Sequence, residues 1–302
     1  MKYNYCGHSG LQLPAISLGL WHNFGSIDNY NNAESILLRA FDLGITHFDL
    51  ANNYGPEPGS AELTFGRVMR EHLGSHRDEM IISTKAGFGM WPGPYGDGGS
   101  RKYLMASLDQ SLKRMGLDYV DIFYSHRYDP TTPIEETMQT LVDIVHQGKA
   151  LYVGISNYPT DVQQQAYDYL SAAHVPCLIS QYRANMLDDT TLKENLPLAR
   201  RAGSGFICYS PLAQGLLTGR YLQGIPANSR IGSHRGNGAI DEDALTLEVK
   251  ERVAGLTCQA QQAGMTLSRY ALRWLLDHEG VTSVIIGASS VQQLEENVGV
   301  IH

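Results

Sequence analysis

The stretch Phe48-Asp49-Leu50-Ala51-Asn52-Asn53-Tyr54-Gly55 reads as the end of a buried strand that delivers an acid and a phenol into a loop. Apolar residues bracket the Asp, and a turn of Ala, Asn and Asn leads to Tyr-Gly. A carboxylate at the mouth of an apolar strand needs a cation or several donors. The next strand-like run, Ile81-Ile82-Ser83-Thr84-Lys85-Ala86-Gly87, ends in such a cation, and the one after it, Val120-Asp121-Ile122-Phe123-Tyr124-Ser125-His126, ends in an imidazole.

The same alternation runs along the rest of the chain. Residues 3 to 15 alternate around His8-Ser9-Gly10, the signature of a hairpin. Strands are expected near 16 to 21, 47 to 51, 80 to 86, 119 to 126, 150 to 156, 177 to 182, 205 to 210 and 281 to 287. Helices are expected near 33 to 43, 60 to 72, 101 to 115, 134 to 147, 160 to 172, 190 to 202, 266 to 277 and 291 to 301, with an extra helix near 243 to 262 inserted before the seventh barrel helix. Eight strand–helix units with near-continuous apolar strands predict an α/β fold, a parallel (β/α)8 TIM barrel preceded by a β-hairpin. One domain over 1–302 is expected. The strands' C-terminal ends are where such barrels place their chemistry. Asp49 with Tyr54, Lys85 and His126 fall there by their own spacing and imply an acid–base site. Singly each has a plainer reading, since Tyr-Gly is ordinarily a turn and a strand-end His a satisfied polar residue; their order on consecutive strands distinguishes them.

Composition narrows the partners. The 302 residues are 43% apolar and 18% charged with a net charge of −8, without long runs of one sign, which argues against nucleic acid and anionic membranes. Cys6, Cys177, Cys208 and Cys258 are widely spaced and form no CxxC pair, as suits reduced thiols. No apolar signal segment opens the chain and no run reaches a membrane-spanning length, so a soluble cytoplasmic protein is expected. The 11 His include no HExxH and no ligand-spaced cluster, so no metal is indicated. Two loops are long: Gly87 to Ser100, holding Trp91, Pro92, Pro94 and Tyr95, and Ala213 to Ile240, holding Arg220, Arg230 and Arg235.

Asp49, Tyr54, Lys85 and His126 in this order resemble the catalytic tetrad of the aldo-keto reductases. The match continues through Gly154-Ile155-Ser156-Asn157, Gln181, Tyr209-Ser210-Pro211-Leu212, and Gly287-Ala288-Ser289 leading to Gln293-Leu294-Glu295-Glu296-Asn297, and so covers essentially the whole chain. The resemblance implies reduction of small aldehydes by NADPH, with L-glyceraldehyde 3-phosphate or methylglyoxal as substrate. It implies Tyr54 as general acid, Lys85 as the cation that favours its phenolate, Asp49 as the partner of Lys85, and His126 as a donor to the carbonyl oxygen. Lowering a phenol by ~2 to 3 units corresponds to roughly 3 to 4 kcal/mol. No GxGxxG follows any strand, so a cofactor must be held by later loops. By resemblance, Ser156, Asn157 and Gln181 take the carboxamide and Tyr209 stacks on the nicotinamide. Ser210, Pro211, Leu212, Gln214, Gly215 and Leu217 line the pyrophosphate, and Gly287, Ser289, Gln293, Glu296 and Asn297 surround the adenosine. Many family members carry a basic residue where this chain has Gln293; Arg220 and Arg230 match positions that serve the cofactor in the more distantly similar β subunits of voltage-gated potassium channels.

Trp21, Trp91 and Tyr95 are the candidate substrate walls, and Arg101 or Arg127 the candidate cation for a substrate phosphate; for Arg127 the competing partner is Asp129. The resemblance also implies a homo-oligomer, a tetramer or larger. Two other readings compete with a reductase: a cofactor-binding, redox-sensing partner protein of the channel-subunit type, and a Schiff-base lyase with Lys85 as nucleophile.

Overall fold

Short runs of Ile, Val, Phe and Leu set between helices can hide their backbone polar groups only by pairing with one another, and here they do so in a ring. The computed structural model describes residues 1–227, 229–233 and 240–301; Arg235 lies outside them. A hairpin of β1 (Tyr3–Tyr5) and β2 (Gln12–Pro14) comes first. Eight parallel strands then close a barrel: β3 (Ile16–Gly19), β4 (His47–Asp49), β5 (Ile81–Ala86), β6 (Val120–Ser125), β7 (Ala150–Ser156), β8 (Ile179–Arg183), β9 (Gly205–Tyr209) and β10 (Val281–Ile286), with β10 pairing back to β3. Around it run α1 (Tyr30–Asp42), α2 (Ser60–Val68), α3 (Arg101–Met115), α4 (Ile134–His146), α5 (Thr160–Ala172), α6 (Thr190–Glu194), α7 (Leu196–Ala202), α8 (Leu247–Gln262), α9 (Leu267–Leu276) and α10 (Val291–Val298). The eight-unit barrel, the leading hairpin and the helix inserted before the seventh barrel helix, which is α8, are as expected.

Three helices break within their expected bounds or miss them by more than three residues. The segment expected as one helix over 60 to 72 leaves α geometry at Val68 and continues as a π-helical turn, Met69–Leu73, which keeps both Met69 and Leu73 in the core. The helix expected over 190 to 202 is broken at Asn195. Its buried amide donates to Gln163 Oε1 (2.7 Å) and the Tyr158 carbonyl (3.2 Å), and Pro197, lacking an N–H, suits the first turn of α7. The helix expected from 243 begins at Leu247, where the Thr246 side chain accepts from Val249 N.

The core has two parts. Outward strand faces and inward helix faces form the larger one. Inside the barrel, Ile122, Tyr124, Ile179, Ile207 and Ile285 pack together and are closed below by Cys6 and Leu13 of the hairpin segment. Gly154 makes room for this filling: a Cβ there would lie 2.5 Å from the Tyr124 ring and 2.7 Å from the Ile179 carbonyl. The remaining sector of the interior is polar. Ser17, His47, Ser83 and Ser283 are fully buried and hydrogen-bonded to one another beneath the strand ends of β4 and β5.

Candidate active site

Strand pairing brings the acid and the cation together. Asp49 ends β4 in register with Ser83, two residues before Lys85, so both side chains point into the barrel. The Lys85 Nζ donates to Asp49 Oδ2 (2.5 Å) and to the Leu50 carbonyl (2.6 Å), with side-chain exposures of 0% for Lys85 and 2% for Asp49. Asp49 Oδ1 accepts from Ser83 Oγ (2.8 Å) and Gln181 Nε2 (3.1 Å). The turn after β4, closed by Tyr54 N donating to the Ala51 carbonyl, sets the Tyr54 ring 5.1 Å from Nζ. His126, one residue past β6, lies edge-on to Tyr54 with centroids 5.9 Å apart. The four residues expected on consecutive strand ends thus form one cluster.

Burial dominates the electrostatics. It pushes the Lys85 ammonium pKa down, against the pull of Asp49. It pushes the Tyr54 phenol well above its usual value, an effect reinforced by the Asp49 carboxylate and by Tyr209. The expected lowering of the phenol by the nearby ammonium thus meets an opposing effect, since burial of the ring favours the neutral phenol. Burial, then the charges of Lys85 and Arg127, holds His126 well below its usual value and so neutral. Its Nδ1 is buried without a protein partner. Trp21 stacks at 6.3 Å on Tyr54.

The later strand ends supply a second cluster. Asn157, in left-handed backbone at φ 56°, accepts from Tyr209 OH (2.9 Å) and donates to Ser156 Oγ (3.0 Å) and the His126 carbonyl (3.2 Å). Gln181, expected to face a cofactor carboxamide, also holds Asp49, a role its sequence context did not suggest. Beyond Tyr209, Ser210, Ala213 and Gln214 have φ of 53°, 46° and 57°, and Gly215 has φ 100°. Pro211 and Leu212 lie within this run, and Leu217 is buried beneath it. Gln214 donates to Ser210 Oγ (2.9 Å) and accepts from the Arg230 guanidinium. Arg230 Nη2 faces Gly287, 3.7 Å from where a Cβ would stand, and the Arg220 Cδ comes equally near the same point on Gly215. At β10's end, Ser289 N and Oγ both donate to Gln293 Oε1 (2.7 and 2.9 Å). Asn297 is buried with Nδ2 unpartnered, and Glu296 accepts through its carbonyl from Arg269.

The candidate substrate residues separate. Trp21 stands over Tyr54, and Trp91 packs on Tyr103 at 5.4 Å. Tyr95 is 57% exposed, with the Lys102 ammonium 5.2 Å above its ring, and so is a rim residue and not a wall. Arg101 is ion-paired with Asp143, about 14 Å down α4 from its first residue, and is directed away from the mouth. Arg127 pairs with Asp97 (3.0 Å), not with Asp129. The Asp129 carboxylate is already filled by Thr131, Thr132 and the Gly99 amide; these donors hold it well below the usual carboxylate range although burial acts the other way. Phe88 went unnoticed in the sequence: its ring meets His126 edge-on at 4.7 Å and lies under the Arg127 guanidinium at 5.2 Å. Among the described residues no helix is long and apolar enough to cross a membrane.

Known proteins are similar in sequence to nearly the whole chain. The model of the Aldo/keto reductase family matches residues 15–302. The chain is 57% identical over 302 residues to L-glyceraldehyde 3-phosphate reductase of Escherichia coli (strain K12), covering 99% of this chain and 87% of that protein. It is 36% identical over 301 residues to a probable voltage-gated potassium channel subunit beta of Arabidopsis thaliana, covering 99% of this chain and 90% of that protein. With its buried acid–cation pair, phenol and imidazole gathered at the mouth of a parallel eight-stranded barrel, this chain belongs to the aldo/keto reductase family and is an oxidoreductase.

Proposed function

We propose that the enzyme reduces small aldehydes with NADPH, that Tyr54 is the general acid, and that L-glyceraldehyde 3-phosphate and methylglyoxal are its substrates. The observation that carries the reading is the Tyr54–Lys85–Asp49–His126 cluster. A carbonyl oxygen placed between the Tyr54 hydroxyl and a neutral His126 would accept two hydrogen bonds as its negative charge develops. Tyr54 then gives up its proton to that oxygen. A phenol held high by burial is a reluctant anion, and the Lys85 ammonium is the charge that stabilises it as it forms. Asp49 keeps Lys85 in place. Reduced nicotinamide supplies the hydride when bound.

The residues present suit such a cofactor. Three consecutive residues in left-handed backbone, Ala213, Gln214 and Gly215, leave a bare main-chain surface. Arg230 is directed onto it and has no carboxylate partner among the described residues, so burial, which lowers its pKa, would be relieved by an anion such as a cofactor phosphate. Ser289, Gln293 and Asn297 would border the adenosine. Arg127 is the better cation for a substrate phosphate: it adjoins His126 through Phe88, and its exposed pair with Asp97 is cheap to exchange. We extend the proposal to a cytoplasmic homo-oligomer of four or more copies, to be measured by light scattering; all four cysteines are free thiols.

The test is the initial rate of NADPH oxidation with L-glyceraldehyde 3-phosphate, methylglyoxal and glyceraldehyde. Tyr54→Phe should lower kcat by about 100- to 10,000-fold with NADPH affinity retained. Arg127→Gln should raise KM for the phosphorylated aldehyde alone. Tight NADPH binding without turnover of any aldehyde would favour a cofactor-binding partner protein instead.

A further inference from the structure

The polar sector inside the barrel has one consistent set of proton positions. Asp49, paired with Lys85, only accepts. Ser83 must therefore donate its single hydroxyl proton to Asp49 Oδ1 (2.8 Å). His47 Nε2, 3.0 Å from Ser83 Oγ, must then carry a proton and donate. Burial holds His47 neutral, pushing it down to about 4, so its Nδ1 is bare and accepts from Ser17 Oγ at 2.8 Å. Ser17 in turn accepts from Ser283 at 2.6 Å, a closer partner than the Ala15 carbonyl at 3.4 Å. Every bond in this column points toward Asp49.

We propose that His47 is a positioning residue for the acid–base cluster, acting as a neutral Nε2–H imidazole that fixes the Ser83 hydroxyl as a donor to Asp49 and so fixes the carboxylate that holds Lys85. The sequence placed His47 two residues before Asp49, on the same face of the strand, and Ser83 two before Lys85. Without the imidazole, Ser83 is free to turn to the Phe48 carbonyl, its alternative acceptor at 3.5 Å. Asp49 would then lose one of the two donors on Oδ1, leaving Gln181. The role rests on the reading of Tyr54 and Lys85 given above.

The groups that face Lys85 are Asp49 beside it, the rings of Tyr54 and Tyr124 at 5.1 and 5.6 Å, His126, and Glu62, whose charge reaches it from α2. Of these Asp49 is the one in contact, so a displaced carboxylate lets the ammonium lose its proton at lower pH. His47→Leu, Ser83→Ala and the double variant should each lower kcat about 10- to 100-fold, leave KM within about threefold, and move the alkaline limb of the kcat–pH profile toward neutrality. Because both residues act through one bond, the double variant should be no worse than the poorer single variant. Independently, long-range 1H–15N spectra of the histidine-labelled wild type should show His47 protonated on Nε2 alone between pH 5 and 8.

Additive losses, a wild-type pH profile in Ser83→Ala, or an Nδ1–H tautomer would each overturn the proposal. Should His47→Leu fail to fold, Ser83→Ala and the spectrum still decide it. Tyr54→Phe is the control: if it stays active, the reading of the cluster has failed, whereas an inactive Tyr54→Phe beside a normal Ser83→Ala removes the column alone.

Discussion

Replacing Asp49 by Asn removes the only charge among the described residues that is in contact with Lys85 and changes almost nothing in shape. Two routes bound the cost. Leaving a charged, fully buried ammonium without its partner costs about 3–5 kcal/mol. Discharging it instead costs the work of deprotonating a Lys whose unfolded pKa is about 10.4, which at pH 7 is 3.4 units, or roughly 5 kcal/mol. With side-chain exposures of 0% and 2%, solvent screening offers no discount, and Asp49→Asn should lose about 3–5 kcal/mol at pH 7. The pH dependence is the sharper part. In the variant the folded-state pKa of Lys85, already lowered by burial, drops further, so the unfolded chain binds the extra proton and stability rises with pH up to about 10.4. At pH 9.5 discharging Lys85 costs only about 1.2 kcal/mol, and the gap to wild type should close to roughly 1–2 kcal/mol. Urea denaturation of both proteins at pH 7 and 9.5 measures it. A gap that stays constant, or widens, with pH would refute the account of Lys85 as a buried charge balanced by Asp49.

Three further outcomes are expected. His47 is neutral in the folded state down to about pH 4 but titrates near 6.5 when unfolded, so stability should fall as pH drops from 6.5, by about 2 kcal/mol at pH 5; urea midpoints of wild type and His47→Gln at pH 7 and 5 should isolate this share. Gly154→Ala forces a methyl against the Tyr124 ring and the Ile179 carbonyl and should cost about 1–3 kcal/mol, read as a lower thermal midpoint; an unchanged midpoint would mean the barrel interior is looser than its packing shows. Arg230→Gln should raise the NADPH Kd about 10- to 100-fold, as expected for a charge-assisted bond; fluorescence titration that finds Kd unchanged removes Arg230 from the cofactor site.

The parts of this molecule legible in its sequence are those carried by contiguous residues. The barrel strands announce themselves as apolar runs because parallel strands are covered on both faces. The same property conceals the polar column. In a strand buried on both sides, inward and outward residues are equally sheltered, so Ser17, His47, Ser83 and Ser283 look like incidental polar residues. Only stepping back two positions from Asp49 and from Lys85 picks out His47 and Ser83. Partnerships between loops are hidden for another reason. Arg127 pairs with Asp97, thirty residues earlier, because the Gly87 to Ser100 loop folds across the mouth, and no periodicity reports that. Pro197 was a visible signal for the break between α6 and α7, outweighed by the helical period on either side. The opposing effect of burial on Tyr54 is hidden in another way: a neighbouring cation is visible in a sequence, whereas the depth of burial is not.

Backbone strain gives a separate indication of where this barrel does its work. Six non-glycine residues among those described have positive φ: Asn23, Asn157, His174, Ser210, Ala213 and Gln214. His174 lies just past the end of α5, where a left-handed residue commonly closes a helix. The other five lie beyond the C-terminal ends of β3, β7 and β9, on the side of the barrel where His126 and Tyr54 stand. Such conformations cost on the order of 1 kcal/mol or more each and persist only if their surroundings hold them. Asn23 is held by its bond to the Ala288 carbonyl (3.0 Å), Asn157 by Tyr209 and His126, and Gln214 by Ser210 and Arg230. The ties of Asn23 and Asn157 join the end of one strand to that of another, whereas those of Gln214 stay within the segment after β9; the loops after β3, β6, β7, β9 and β10 thus constrain one another around the mouth. The strained residues face the proposed cofactor track, whereas the polar column supports the acid–base cluster from within the barrel. The two sets meet at His126, whose carbonyl accepts from Asn157 and whose ring faces Tyr54, and at Gln181, whose carbonyl accepts from the Asn157 amide and whose side chain donates to Asp49. A perturbation of the cofactor loops therefore has two routes inward, to the Tyr54 ring through His126 and to Lys85 through Gln181 and Asp49.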